Sequence, residues 1–147
     1  MRGALVGLDL RDDRASLLEL YVAALSGLAH GVAQIIRTLE AGGYHFDMLV
    51  VSGGAGRSPL VRQIIADSTG KRVGAPEASE PVLLGAAMLG AVAAGKHDVR
   101  SAMSAMSRLA DEITPQGGEI ARFHAKKRRA FDLMQGSERG IRQIMSA

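Results

Sequence analysis

The amino-terminal part of the chain carries apolar residues at helical spacing. Ser16, with Glu19 in the same first turn, has the form of a capping box that begins a helix. From there the apolar residues recur every three or four positions, at Leu17, Tyr21, Leu25, Leu28, Val32, Ile35, Ile36 and Leu39. This pattern predicts one long helix of about six turns.

A short strand and a second helix follow. Gly42 and Gly43 supply the left-handed residues that commonly end a helix. Residues 47–52, DMLVVS, form an apolar run with the length and bounds of a buried strand. After a glycine-rich turn, Pro59 stands at a first helical position, and apolar residues then repeat on one face up to the Ser-Thr-Gly that ends at Gly70.

The remaining sequence predicts one more strand and several helices. Residues 71–76, KRVGAP, are consistent with a second short strand. Residues 80–95, EPVLLGAAMLGAVAAG, predict a helix of small residues that a neighbour can approach closely, and we expect this helix to be buried. Residues 99–147 show no strand pattern and predict a helical tail: a methionine-bearing helix over 99–109, a loop, and a basic helix.

The alternation of helices and strands indicates an α/β domain with parallel strands, rich in helix and poor in strand. An open sheet of this class usually has about five strands, and two do not make such a sheet. We therefore expect the first strands of the sheet to come from elsewhere, and the chain to be one part of a larger domain. An unpaired sheet edge and the small-residue helix also make a homodimer a reasonable expectation.

Composition narrows the classes of function. The chain has 147 residues, of which 47% are hydrophobic and 22% charged, as in an ordinary soluble domain. It has no cysteine, which excludes disulfides and thiolate chemistry. The net charge of +3 is small and only 3% of residues are aromatic, so a nucleic-acid partner is disfavoured. No apolar run approaches the roughly 18 residues of a membrane span, and no signal peptide is evident, so we expect a cytoplasmic protein without a membrane partner.

The glycine turn, SGGAGRSP over residues 52–59, is the clearest candidate for chemistry. Small residues after a buried strand let a ligand approach the backbone, and the next helix begins with unpaired N–H groups. The GxxxxGK[ST] phosphate loop does not match, and GxGxxG matches only at Gly54 and Gly56, with Pro59 where the third glycine belongs. Spacing alone leaves two interpretations open: a nucleotide-binding turn, or a tight turn without a ligand.

A wider combination of motifs resembles a known family. The combination consists of GGAGRSPL at 53–60, QIIAD at 63–67, TGKRV at 69–73, Glu80, and GAA at 85–87. Over nearly the whole chain it resembles the C-terminal domain of the FGGY carbohydrate kinases, of which residues 1–147 would be one part. The segments 20–31, 80–95 and 123–134 are most similar to the ribulokinase branch. Val22 and Ser26 stand where many other FGGY kinases have Arg and Glu, and this departure also favours that branch.

The resemblance implies an actin-like ATPase fold, related to ribonuclease H, with ATP between two domains and Mg²⁺ on its phosphates. Gly53, Gly54 and Ala55 match the turn that lies against the adenosine and the α-phosphate. Ser58 matches a position that is often Asn and contacts adenine, although a hydroxyl lacks the paired groups of an amide. Two interpretations of Arg57 stay open: its side chain points to phosphate, or it points to solvent.

The family's sugar site, its Asp-Gly-Thr phosphate loop and its catalytic Asp have no counterpart in these residues, so we assign no catalytic residue. The carboxylates Asp9, Asp12, Asp13 and Asp47 are interpreted as caps or loop residues. His30, His45, His97 and His124 are widely spaced and predict no metal site, and the basic run Lys126–Arg129 predicts a solvated helix face.

Two functions are therefore expected above others. In the first, the chain is the ATP-side part of a kinase that phosphorylates a pentulose such as D-ribulose, and the sugar binds only in the complete enzyme. Alternatively, it is a catalytically inactive module that binds nucleotide or associates with itself. A nucleic-acid-binding protein is the least favoured third class.

Overall fold

The computed structural model describes residues 4–146. In chain order they form α1 (Arg14–Ala41), β1 (Met48–Val50), α2 (Gly53–Arg57), α3 (Pro59–Thr69), β2 (Arg72–Pro76), α4 (Pro81–Ala93), α5 (Val99–Met106), β3 (Leu109–Ile113) and α6 (Gly118–Met145). The predicted strands at 47–52 and 71–76 are thus confirmed as β1 and β2. The helix predicted from Pro59 is confirmed as α3, and it ends at Gly70 in the left-handed conformation, with φ of 69°.

The sheet has three strands in the order β1-β2-β3. β1 and β2 are parallel, as predicted, with Leu49 beside Val73. β2 and β3 are antiparallel, with Val73 beside Ile113. Val73 is fully buried, so the middle of the sheet is also the centre of the packed region.

β3 corrects the prediction for residues 99–147. This tail contains a strand, and its first helix ends at Met106 rather than 109. The strand sequence LADEI has no alternating apolar pattern, because its central residues are acidic and lie at the surface. Pairing with β2, together with ion pairs from Arg62 and Arg72, holds it as a strand, and none of these long-range contacts is visible in local sequence.

The core lies where α1 and α3 pack together over the sheet. α1 contributes Ala29, α3 contributes Ile64, Ile65 and Ala66, and β2 contributes Val73. The small side chains of Ala29 and Ala66, which are 1% and 0% exposed, let the two helix backbones lie close. α6 packs against both helices from the other direction.

The first helix is confirmed, but its cap and its packed face differ from the prediction. The N-cap is Asp13, whose carboxylate accepts a hydrogen bond from the Ser16 N–H at 2.7 Å. Glu19 instead pairs with Arg11 at 2.7 Å. Of the apolar residues that define the helical pattern, most are half-buried or exposed, and Leu28 is 72% exposed. The buried residues are Ser26, Ala29, His30, Ala33 and Ile36, of which only Ile36 belongs to that pattern.

α4 was expected to be buried, and the structure contradicts this. None of its residues is buried, and Val82 and Leu83 are 82% and 67% exposed. The Cβ of an alanine at Gly85 or Gly90 would meet open space. Glycine in a helix costs about 1 kcal/mol relative to alanine, so contacts within residues 4–146 do not account for these two glycines.

By length and composition alone, α1 could cross a membrane. An 18-residue window of this helix has a mean hydropathy of 1.3. The expectation that no run approaches a span was therefore wrong as a statement about length. It overlooked the alanines between the larger apolar residues, which keep the mean high. In this fold α1 packs on α3, and 17% of that window is buried.

Two histidines that are distant in sequence meet between α1 and α6. The ring centroids of His30 and His124 are 5.6 Å apart, and Phe131 lies 5.9 Å from His30. His30 is 2% exposed, and within the described residues neither ring nitrogen has a hydrogen-bond partner. Burial, with smaller contributions from the charges of His124, Arg37 and Lys127, lowers the pKa of His30 to about 4, and Asp132 partly opposes the shift.

Stability should therefore fall on mild acidification. An unfolded histidine has a pKa of about 6.5, so between pH 6.5 and 4 the unfolded chain binds more protons than the folded one. We expect the free energy of unfolding, measured with urea, to drop by about 2–3 kcal/mol over this window and to be flat above it. His30→Leu should remove most of this slope, and the exposed-site control His97→Gln should keep it. An equal slope in His30→Leu would contradict the assignment.

Candidate functional site

The glycine turn after β1 folds as the short helix α2, and its glycines are present for different reasons. Gly53 has φ of 72°, a left-handed conformation that side chains disfavour. At Gly56, a Cβ would stand 2.2 Å from the Val51 carbonyl oxygen, so packing requires glycine there. At Gly54 neither reason holds, because its φ is ordinary and a Cβ would meet nothing within 4 Å. The backbone at Gly54 is therefore open, and nothing in the described fold requires glycine there.

Ser58 begins α3. Its hydroxyl accepts a hydrogen bond from the Val61 N–H at 3.3 Å, and Pro59 occupies the first turn, as predicted. The Ser58 oxygen is thus already used as a helix cap, and the hydroxyl proton remains available to a ligand. The role of Ser58 at adenine stays a prediction.

A cavity of about 510 Å³ opens at the carboxyl ends of β1 and β2, beside α2. Its size falls in the range of about 300–1,000 Å³ that is usual for small-molecule sites. Ligands of open α/β sheets bind at this end of the strands. Of the four predicted site residues, Gly53 lines the cavity, whereas Gly54, Ala55 and Ser58 lie on the same turn outside the lining. A larger cavity of about 1,000 Å³ lies along the start of α1, away from this turn.

An ion pair that sequence reasoning missed forms one wall of the cavity. Arg62 of α3 is 4% exposed and makes two hydrogen bonds to the Asp111 carboxylate of β3, one of them 3.0 Å long from Nη2 to Oδ2. The guanidinium lowers the pKa of Asp111, and the carboxylate raises the pKa of Arg62. Because Arg62 lies among apolar residues of a helix and β3 was not predicted, no local signal indicated this pair.

Arg57 is exposed at the rim of the cavity and is also held by two hydrogen bonds. Its Nη2 donates to the Ser79 carbonyl oxygen at 3.1 Å and to Glu80 Oε1 at 3.2 Å. Both acceptors lie just before α4, so the contact joins α2 to the loop after β2. Neither interpretation of Arg57 from sequence included this partner.

The sequence predicted no metal site, because the four histidines are widely spaced. Within residues 4–146, no group of three or more His, Asp or Glu side chains is close enough to hold a metal ion. The absence of a metal site stays a prediction for the whole protein.

The motif combination and the fold are matched by known proteins. The family model described as "FGGY family of carbohydrate kinases, C-terminal domain" matches residues 1–94. The chain belongs to the FGGY family of carbohydrate kinases. The family assignment made from the motifs around the glycine turn is thereby confirmed.

Relatives share the sequence over most of the chain. An FGGY carbohydrate kinase domain-containing protein of Xenopus laevis is 36% identical over 146 residues, which is 99% of this chain and 26% of that protein. A ribulokinase of Mycolicibacterium smegmatis is 33% identical over 127 residues, 85% of this chain and 22% of that protein. The chain spans about a quarter of the length of the curated relatives it matches.

Solved structures share the fold. The xylulose kinase of Rhodospirillum rubrum matches with a TM-score of 0.74 and 23% identity, over 92% of this chain and 27% of that one. The likeness confirms the predicted fold class: this FGGY kinase chain is helix-rich α/β and forms part of an actin-like ATPase fold.

We expect the Arg62–Asp111 pair to matter for stability. Asp111→Asn should lower the free energy of unfolding by about 1–3 kcal/mol, because it leaves a buried guanidinium without its charged partner. The matched control is Glu112→Gln, which weakens the neighbouring exposed pair with Arg72 and should cost about 0–1 kcal/mol. Equal effects of the two variants in urea denaturation would contradict the role of burial.

Proposed function

We propose that this FGGY chain is the nucleotide-side part of an ATP-dependent carbohydrate kinase. The observation that carries the proposal is Gly54, where a side chain would fit the fold and none is present. Other glycines of the chain are equally open, but Gly54 lies in the turn that follows β1, where a ligand against the backbone would account for it. The turn follows a strand of a parallel pair and borders a cavity of about 510 Å³, which is where this class of sheet binds ligands.

The residues present fit a nucleotide. By the family resemblance, backbone groups of Gly53, Gly54 and Ala55 would lie against adenosine and the α-phosphate, and the Ser58 hydroxyl would contact adenine. ATP, with Mg²⁺ in the complete enzyme, supplies the phosphoryl group that is transferred. The chain's own contribution is to bind and orient the nucleotide, because it carries none of the family's sugar-site or catalytic motifs.

We propose a pentulose such as D-ribulose as the acceptor. Support comes from the segments 20–31, 80–95 and 123–134 and from the ribulokinase among the relatives. Relatives named glycerol kinase are also similar, at 28% identity and, in Dechloromonas aromatica, at 33%, which equals the identity to the ribulokinase, so this choice of sugar depends on the branch resemblance.

Nucleotide binding tests the proposal. Gly54→Ala should weaken ADP binding, measured by calorimetry, at least about tenfold, or about 1.4 kcal/mol, without lowering the melting temperature. The control Gly140→Ala fills a similarly open position on α6 and should leave binding unchanged. Absence of ADP and ATP binding by the unaltered chain, or unchanged binding by Gly54→Ala, would refute the proposed site.

A second candidate is a module that associates with itself and has no kinase turnover. It is favoured by α4, whose apolar face has no buried residue. The outer edge of β1 is also unpaired among the described strands. In the first candidate these surfaces face the remaining three-quarters of the kinase, and in the second they face another copy.

Sedimentation velocity separates the two candidates. If copies pair through α4, the chain should sediment as a dimer and Leu83→Glu as a monomer, because a buried charge at that interface is costly. The control Leu133→Glu places the same charge at an equally exposed position of α6 and should remain dimeric. A monomeric unaltered chain would remove the second candidate.

A further inference from the structure

Arg57 stands at the rim of the cavity with much of its binding capacity unused. It lines the cavity at the end of α2, and its side chain is 67% exposed. Both of its contacts use Nη2, so within residues 4–146 Nε and Nη1 have no hydrogen-bond partner. Three of its five N–H donors are therefore available to a ligand in the cavity.

The second arginine of the cavity is different. Arg62 is held by two hydrogen bonds to Asp111 and is buried. Its charge is neutralised and fixed in place. Of the two cations that line the cavity, Arg57 is the one that can change partner.

Its present partner is easily replaced. The contact of Arg57 with Glu80 is a single hydrogen bond in an exposed ion pair, and such pairs contribute little to stability because water screens them. A phosphate group offers several charged oxygens, and arginine binds such groups with two parallel hydrogen bonds. Exchange of Glu80 for phosphate would add hydrogen bonds and charge neutralisation.

We propose that Arg57 leaves Glu80 and binds a phosphate group when a nucleotide enters this cavity, so that Arg57 selects phosphorylated nucleotides over nucleosides. Glu80 acts as the competitor that holds the guanidinium at the rim while phosphate is absent. This inference rests on the proposed nucleotide site and adds to it the residue that recognises the phosphate.

The exchange predicts opposite effects for the two partners. By calorimetry, Arg57→Ala should weaken ADP binding about tenfold, the effect of one charged hydrogen-bond pair, and should leave adenosine binding unchanged. Glu80→Gln should strengthen ADP binding about two- to threefold, because it removes both the competitor and a negative charge near the phosphate. Arg57→Lys should restore part of the ADP affinity, since lysine keeps the charge but loses the paired geometry.

The matched controls are Arg72→Ala and Glu112→Gln, which change an ion pair of similar exposure outside the cavity and should alter neither ligand's affinity.

If Arg57 merely holds the loop before α4 in place, Glu80→Gln weakens ADP binding, or Arg57→Ala weakens ADP and adenosine binding equally. Either result overturns the exchange. ADP binding that is unaffected by Arg57→Ala refutes the exchange and leaves the nucleotide site standing. If the unaltered chain binds neither ligand, both the site and the exchange are refuted.

Discussion

The close contact between α1 and α3 is the constraint on which the rest of the structure depends. Ala29 and Ala66 are almost completely buried at this contact, and each lacks the bulk that would separate the helices. Packing is dense in protein interiors, so a larger side chain at either position would displace α3 as a whole. Because α3 also contacts β2, β3 and α6, its position fixes the sheet and the tail together.

The same helix positions the candidate site. Ser58 caps its first turn, and Arg62, one turn later, reaches β3 through Asp111. At the other end, Asp67 accepts hydrogen bonds from Gln63 at 2.9 Å and from the Gln116 N–H at 2.7 Å, which joins the loop after β3 to α3. α3 therefore gives the cavity wall Arg62 and, through Asp111, ties β3 to it, whereas the end of β1, the glycine turn, the end of β2 with its following loop, and β3 supply the rest of the lining.

The elements that sequence predicted well are those whose signals are local. α3 lies between a proline in its first turn and a left-handed glycine, and both ends were predictable because each depends on the conformation of a single residue. β3 and the Arg62–Asp111 pair were not predictable, since they form between residues 33 to 49 positions apart and nothing in either segment indicates the other. The packed face of α1 was misjudged because its buried residues are mostly alanine, serine and histidine rather than the large apolar residues of the pattern. In the site, the sequence indicated the glycine turn. It did not indicate the partners of Arg57, because these lie in the loop before α4, whose position only the structure shows.

The glycine turn also shows how a family motif divides into structural and functional parts. Gly53 and Gly56 are required by the backbone conformation and by the nearby carbonyl oxygen of Val51, with or without a ligand. Gly54 has no such requirement among the described residues, and for that reason the proposed ligand contact is assigned to it rather than to Gly53 or Gly56. Phosphoryl transfer needs a positioned nucleotide, neutralisation of charge and a base at the acceptor hydroxyl, and in the proposed kinase the glycine turn would supply the first and Arg57 part of the second. If the proposed site lies between two domains, it can open and close only when each domain holds its own share of the contacts.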